Sequence, residues 1–235
     1  MFDSETLYKI LLVSLCGGII GLDRTAVGQF MFSQPVVAGP LTGWVLGDAT
    51  TGYVIGGVLE LIWLLDMPVG TFVPADSTVA AVCATASAVL GGQGRPELSL
   101  MGFSTLLTVV LAPVTMVVDN VIRKWNTRLA DYALSGPKGD VPARLAKAHL
   151  SGVVVFFLKP FALYVVCIPA GIAAVRWFAG VPVTYHNAMA LYIKVLPFLG
   201  AASVVRKLSI ATLDGFCSRV FLPLRCWGLY FTPII

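Results

Sequence analysis

Long uncharged runs separated by short polar stretches are the dominant pattern along this chain, and they predict membrane-spanning α-helices. The clearest run extends from Leu98 to Val118, interrupted only by Pro113, and it matches the roughly 20 residues that a helix needs to cross a bilayer. A shorter run, Ile10 to Leu22, predicts a retained first helix: Asp3 and Glu5 make its flank acidic, whereas a secretory leader begins with positive charge.

Two apolar stretches are broken by glycine and proline. The first runs from Phe30 to Gly47, and the second from Met67 to Asp76. Broken backbone at membrane depth is tolerated only where it is buried in protein or lines a water-filled cavity. We therefore expect re-entrant or kinked elements around a helix over Tyr53–Leu65, in which Gly56 and Gly57 lie one turn from Glu60 and admit a neighbouring backbone.

The composition places the chain in the membrane class. Hydrophobic residues make up 57% and charged residues 12% of its 235 residues, against about a quarter charged in soluble domains. The predicted fold class is an all-α, polytopic helical membrane protein with six to nine crossing or half-crossing segments. We divide this single domain, 1–235, into an N-terminal bundle (1–118), a basic loop (119–149) and C-terminal helices (150–235), with 206–235 left unplaced.

Basic residues concentrate in the polar stretch that follows the clearest span, at Arg123, Lys124, Arg128, Lys138, Arg144 and Lys147. The positive-inside rule places this stretch in the cytoplasm. Its apolar spacing predicts that the span continues as an amphipathic helix, and Pro142 predicts the start of a second, short one. Nothing indicates nucleic-acid binding. Further along, Lys159, Arg176 and Lys194 are expected to snorkel at span ends.

Catalytic and metal-binding chemistry has little support in the sequence. The five cysteines are scattered through apolar segments without metal-ligand spacing, and the chain holds two histidines. The cysteines are expected to behave as small buried hydrophobic residues, and we expect no cofactor. Motifs of hydrolases and metalloenzymes are missing from the sequence, which argues against a membrane-embedded enzyme.

Acidic residues inside the apolar stretches are the main candidates for function. Asp48, Glu60, Asp66 and Asp76 lie within about thirty residues, and each charge at the bilayer centre costs about 2.5 to 3.5 kcal/mol. These acids either pair with basic side chains and cap helices, or bind a polar solute. Asp48 is predicted to cap the next helix in preference to contacting a substrate. Asp23 either pairs with Arg24 at the interface or belongs to a binding site.

The segments VVAGPLTGWVLGD after Gln34-Pro35, TGYVIGGVLELIWL and MPVGTFVPAD resemble the enzyme IIC membrane subunit of the mannose/fructose/sorbose-type sugar phosphotransferase systems. The resemblance covers the first two-fifths of the chain; beyond Leu90 only the hydropathy is compatible. The chain departs from the family's sequence pattern at Gln34, where arginine is frequent, and at Asp66, where a small or apolar residue is expected. These departures bear on which sugar is carried.

The resemblance implies a bacterial inner-membrane, multi-pass subunit that translocates a hexose or amino sugar and carries no phosphorylated residue. It implies partnership with a membrane subunit, enzyme IID, and with soluble IIA and IIB phosphocarriers, in a trimer of IIC–IID pairs. Docking of IIB at Arg144 and Lys147 is a hypothesis that stands beside a purely topological role for that loop. A transport-inactive, sensory or regulatory subunit with the same fold is the alternative.

The predicted sugar site combines acids, an amide and an aromatic ring. Carboxylates can accept charge-assisted hydrogen bonds from two sugar hydroxyls at once. Trp63, or alternatively Trp44, is expected to stack on the sugar ring. The predicted substrate-binding residues are Glu60, Asp76, Gln34, Asp23 and Trp63.

Overall fold

The computed structural model describes residues 3–64, 66, 73–135 and 140–225, with side chains through 206 and at 208. Over these residues the chain is helical and has no strand. The helices are α1 (Ser4–Leu22), α2 (Pro35–Leu46), α3 (Ala49–Trp63), α4 (Ser77–Gly91), α5 (Leu98–Leu134), α6 (Val141–Ala179) and α7 (Val183–Arg225). The predicted all-α membrane fold is confirmed.

The helices fall into two length classes. Four are long and apolar enough to cross a bilayer: α1, α5, α6 and the part of α7 over Val183–Arg206. The other three contain 12, 15 and 15 residues. At 1.5 Å per residue they are about 18 to 23 Å long, short of a 30 Å hydrocarbon core. The predicted half-crossing elements are therefore α2, α3 and α4.

Helix α4 is the centre of the bundle. Its sequence, STVAAVCATASAVLG, is rich in small residues, and all but Ser77 and Leu90 are buried. It packs against α1, α2, α3, α5 and α6, because alanine and serine let neighbouring helix backbones approach closely. Protein, rather than lipid, forms the surroundings of this helix.

Helices α2 and α3 form a tight hairpin. Gly47 takes a left-handed φ of 92° and ends α2, while the Asp48 carboxylate accepts the Thr51 N–H at 3.2 Å and caps α3. The predicted cap is confirmed. A Cβ atom at Gly56 would overlap the Pro35 carbonyl oxygen, whereas one at Gly57 would meet nothing within 4 Å. Gly56 therefore permits the close approach that was expected, and Gly57 does not take part in it.

Helices α5 and α6 are longer than a crossing of the bilayer requires, so part of each projects beyond it. With 37 and 39 residues they are about 55 to 60 Å long. A short helix was expected to start at Pro142. The helix observed there, α6, instead continues past Lys147 and through Pro160 and Pro169 to Ala179. Helix α6 ends at Ala179, and α7 begins at Val183. Lys138 of the basic stretch lies outside the described residues.

Candidate functional site

A cavity of about 530 Å³ opens among the segment after α1, the segment before α4, and helices α5 and α6. Four of the five predicted site residues line it: Asp23, Gln34, Trp63 and Asp76. The cavity wall also contains Arg24, Asp66, Asp119, Arg123, Lys159 and Tyr164. Polar groups from segments far apart in sequence thus share one space between broken and continuous helices.

Asp76 lies just ahead of α4, outside the long spans, and its carboxylate accepts three hydrogen bonds from the protein. Oδ1 accepts from Arg24 Nη1 at 2.7 Å and from the Val79 N–H at 3.2 Å, while Oδ2 accepts from Lys159 Nζ at 2.6 Å. Burial opposes ionisation, but Lys159 and Arg24 outweigh it and hold the pKa of Asp76 far below its usual range. Asp76 is therefore an ionised anchor for two cations.

Lys159 lies inside α6, and its predicted snorkelling position is wrong. The side chain is 8% exposed, and Nζ contacts Asp76 at 2.6 Å and Asp119 at 2.8 Å. An ammonium group buried at this depth needs carboxylate partners, because taking a lone charge out of water costs several kcal/mol. Two acids from different segments supply that compensation.

Asp23 does not pair with its neighbour Arg24, which contacts Asp76 instead. The Asp23 carboxylate accepts hydrogen bonds from the backbone N–H groups of Phe30 at 2.6 Å and Ser33 at 3.1 Å. These bonds shape the segment between α1 and α2, in which Gln29 and Met31 take left-handed φ values of 57° and 69°. Asp23 is 7% exposed and faces the cavity, so it both orders this segment and lines the site.

Glu60 is half-buried on α3 and does not line this cavity. Its Oε2 accepts the Val36 N–H at 3.2 Å, at the start of α2. The carboxylate therefore stabilises the positive end of a helix dipole, a position that favours an anion. Its neighbour one turn later, Trp63, reaches the cavity, whereas Trp44 is 73% exposed on the opposite part of the hairpin.

The two departures from the sequence pattern come together in this cavity. Gln34 immediately precedes α2 and does not cap it through its side chain, and Asp66 follows α3; both residues line the cavity wall. Their proximity was not evident from their positions 32 residues apart.

The sequence analysis did not identify Asp119, Lys159 and Tyr164 as residues of the site. It also did not identify Arg24 as the partner of Asp76. The signal available for Lys159 was a lone lysine inside an apolar run. Tyr164 is fully buried, and a Cβ at Gly17 would lie 2.5 Å from its Cε2 atom. Gly17 therefore makes room for the ring.

The cavity suits reversible binding of a polar solute. Within the described ranges no group of three or more histidine, cysteine, aspartate or glutamate side chains could hold a metal ion. Carboxylates, an amide and guanidinium and ammonium groups offer acceptors and donors together, and an aromatic ring adds an apolar face.

Comparison with known proteins identifies the family. A family model described as "PTS system sorbose-specific iic component" matches residues 7–222. The chain belongs to this IIC family. Membership extends the resemblance past Leu90 to nearly the whole chain, and with the four apolar helices it makes this a multi-pass inner-membrane protein.

Relatives within the IIC family are moderately similar. The mannose-specific EIIC component of Escherichia coli K12 is 33% identical over 118 residues, which are 50% of this chain and 42% of that protein. The fructose permease IIC component of Bacillus subtilis 168 is 26% identical over 218 residues, covering 91% of this chain and 77% of the relative. The match thus spans less than half of the Escherichia coli protein.

A solved structure shares the fold. A cryo-EM structure titled as the mannose transporter ManYZ with microcin E492 contains a chain that superposes with a TM-score of 0.61 at 20% identity. The superposition covers 98% of this chain and 89% of that one. At this level of identity the likeness establishes the arrangement of helices.

Proposed function

We propose that this chain is the sugar-translocating membrane subunit, IIC, of a mannose-family phosphoenolpyruvate-dependent phosphotransferase system, taking up a hexose or amino sugar. The observation that carries the proposal is the polar cavity itself, which lies between short broken helices and long spans in a chain of this family. Asp23, Gln34 and Trp63 are the proposed sugar contacts, and Glu60 on α3 supports the site from outside by accepting the Val36 N–H at the start of α2.

The geometry gives the proposed residues different roles. Asp76 already accepts three donors, so its main role is to hold Arg24 and Lys159 at the wall, with remaining lone pairs for a sugar hydroxyl. Asp23 accepts two backbone N–H groups, which leaves acceptor capacity on its carboxylate for sugar hydroxyls. Trp63 supplies the ring face against which a pyranose can stack.

Phosphoryl transfer is assigned to partner proteins in this proposal. The solved relative is titled as a ManYZ complex, which supports partnership with an IID subunit. Soluble IIA and IIB carriers would phosphorylate the released sugar, and a trimer of IIC–IID pairs would be the assembly. Arg144 and Lys147, on the projecting part of α6, remain the proposed contact for IIB.

A regulatory or sensory subunit is the second candidate, and one observation favours it. Both departures from the family pattern, Gln34 and Asp66, line the cavity. Changes at the site itself alter specificity in a transporter, or mark a protein that has lost transport. Uptake measurements separate these two outcomes.

The test is phosphoenolpyruvate-dependent uptake of hexoses and amino sugars by vesicles containing this chain, the IID subunit of its host and that host's soluble carriers. We expect uptake of at least one sugar, reduced about tenfold or more in Trp63→Ala because the ring face in the cavity wall is lost. Trp44→Ala, at an exposed position on α2 outside this cavity, is the matched control. Absence of uptake from a folded, assembled complex would leave the regulatory candidate.

A further inference from the structure

The connection between α1 and α2, residues 23–34, is tied to the start of α4 near both of its ends. Near the first end, Arg24 donates a hydrogen bond to the Asp76 carboxylate at 2.7 Å. Near the second end, the Thr78 hydroxyl donates to the Ser33 carbonyl oxygen at 2.6 Å. The start of α4 therefore fixes where this connection lies against the bundle.

Ser33 is the residue through which the second tie acts. Its N–H donates to Asp23 at 3.1 Å and its carbonyl oxygen accepts from Thr78, so hydrogen bonds hold this residue from both sides. The Ser33 carbonyl belongs to the planar peptide group that leads into Gln34, so the bond from Thr78 also positions Gln34. Gln34 makes no capping bond with its side chain, which leaves its amide available to a sugar.

Asp23 and Gln34, two of the proposed sugar contacts, line the same cavity at opposite ends of this connection. Between them, Gln29 and Met31 take left-handed φ values of 57° and 69°. Left-handed backbone is unfavourable for residues other than glycine, and it persists where surrounding contacts hold it. The spacing of the two sugar contacts therefore depends on bonds made to the connection by other elements, among them the bond from Thr78.

We propose that Thr78 is a positioning residue for sugar binding. By holding Ser33, its hydroxyl sets the spacing of Asp23 and Gln34 in the cavity wall. This inference rests on the proposed transport function and adds a residue to its site. The Thr78 side chain is 1% exposed, so it offers a sugar little surface and acts through Ser33. Loss of its hydroxyl would leave a buried carbonyl oxygen without its donor and release the end of the connection.

Substitutions that change the hydroxyl of Thr78 test this role. In the uptake assay described above, Thr78→Val keeps the branched shape and removes the donor, and we expect it to raise KM for the sugar that is taken up about tenfold. The maximal rate should stay within about twofold of wild type, and Thr78→Ser, which keeps the donor, should have a KM close to wild type. A merely structural role predicts the opposite division, because loss of folded protein lowers the maximal rate and leaves KM unchanged.

Thr85, on the same helix, provides the matched control. It is buried as completely as Thr78, but its hydroxyl oxygen has no hydrogen-bond partner within the described residues. Thr85→Val should therefore leave KM unchanged. Thr78→Cys keeps a weaker donor of similar size and should raise KM by a smaller factor than Thr78→Val. The cysteine variant decides the matter if the valine variant does not assemble.

The outcomes separate this inference from the function on which it rests. An unchanged KM in Thr78→Val would overturn the inference and leave the transport function standing. A KM in Thr78→Ser as high as that of Thr78→Val would do the same, as would a wild-type KM in Thr78→Cys. Absence of uptake by the assembled wild-type complex would refute the transport function and the inference with it.

Discussion

At the scale of single residues, charge compensation over long sequence distances holds this molecule together. Lys159 meets Asp76 and Asp119, which are 83 and 40 residues away. Contacts between residues so far apart leave no pattern in the local sequence. The Lys159 side chain was therefore expected to snorkel at the end of a span. Asp48, in contrast, was predicted correctly, because a cap involves the next three residues and is readable from local sequence.

Replacing Lys159 with methionine is expected to destabilise the protein by about 3 kcal/mol or more, because Asp119 loses its ammonium partner and Asp76 retains only Arg24. Thermal unfolding in detergent or nanodiscs would measure the loss. Lys194→Met, at an exposed site on α7, is the control. Adding Asp119→Asn to Lys159→Met should recover part of the stability; equal stability of Lys159→Met and wild type would contradict the buried network.

At the scale of elements, backbone approach determines the α2–α3 hairpin. The sequence predicted broken helices here from glycine and proline, and α2 and α3 have the expected short lengths. It did not reveal which glycine makes the contact, since Gly56 and Gly57 are adjacent and chemically identical. Their difference arises from a helical rotation of about 100° per residue, which turns Gly56 toward Pro35 and Gly57 away from it.

Adjacent alanine substitutions test this packing. Gly56→Ala is expected to destabilise the fold, because the added methyl group overlaps the Pro35 carbonyl oxygen. Gly57→Ala should be neutral or stabilising by up to about 1 kcal/mol, since alanine favours helix over glycine. Melting temperatures of the two variants, measured side by side, would check the prediction. Equal effects would mean that the hairpin is not packed through Gly56.

At the scale of the whole molecule, α5 and α6 are long enough to cross a bilayer and continue beyond it. The sequence predicted the basic character of this projecting region, but the continuity of α6 through Pro160 and Pro169 was not foreseen. Membrane helices tolerate such prolines because surrounding groups satisfy the freed carbonyls. The site was predicted as a group of acids with an amide and an aromatic ring. The sequence did not reveal the cavity, because its walls depend on packing of α5 and α6 against distant segments.

The orientation of this projection gives a further prediction. Lys147→Cys is expected to react with a membrane-impermeant maleimide in inside-out vesicles and to remain unlabelled in intact cells, because basic segments stay in the cytoplasm. Labelling of the wild-type protein, which contains native cysteines, sets the background. Labelling from outside intact cells would reverse the orientation of the chain and move the proposed IIB contact to the wrong side.

The burial of α4 has a consequence for biogenesis. This helix is synthesised before α5 and α6, yet it packs against both. With 15 residues it is too short to lodge across the bilayer by itself. The early part of the chain therefore has to wait, at the insertion machinery or at the membrane surface, until the later spans enclose it, so the order of burial runs against the order of translation.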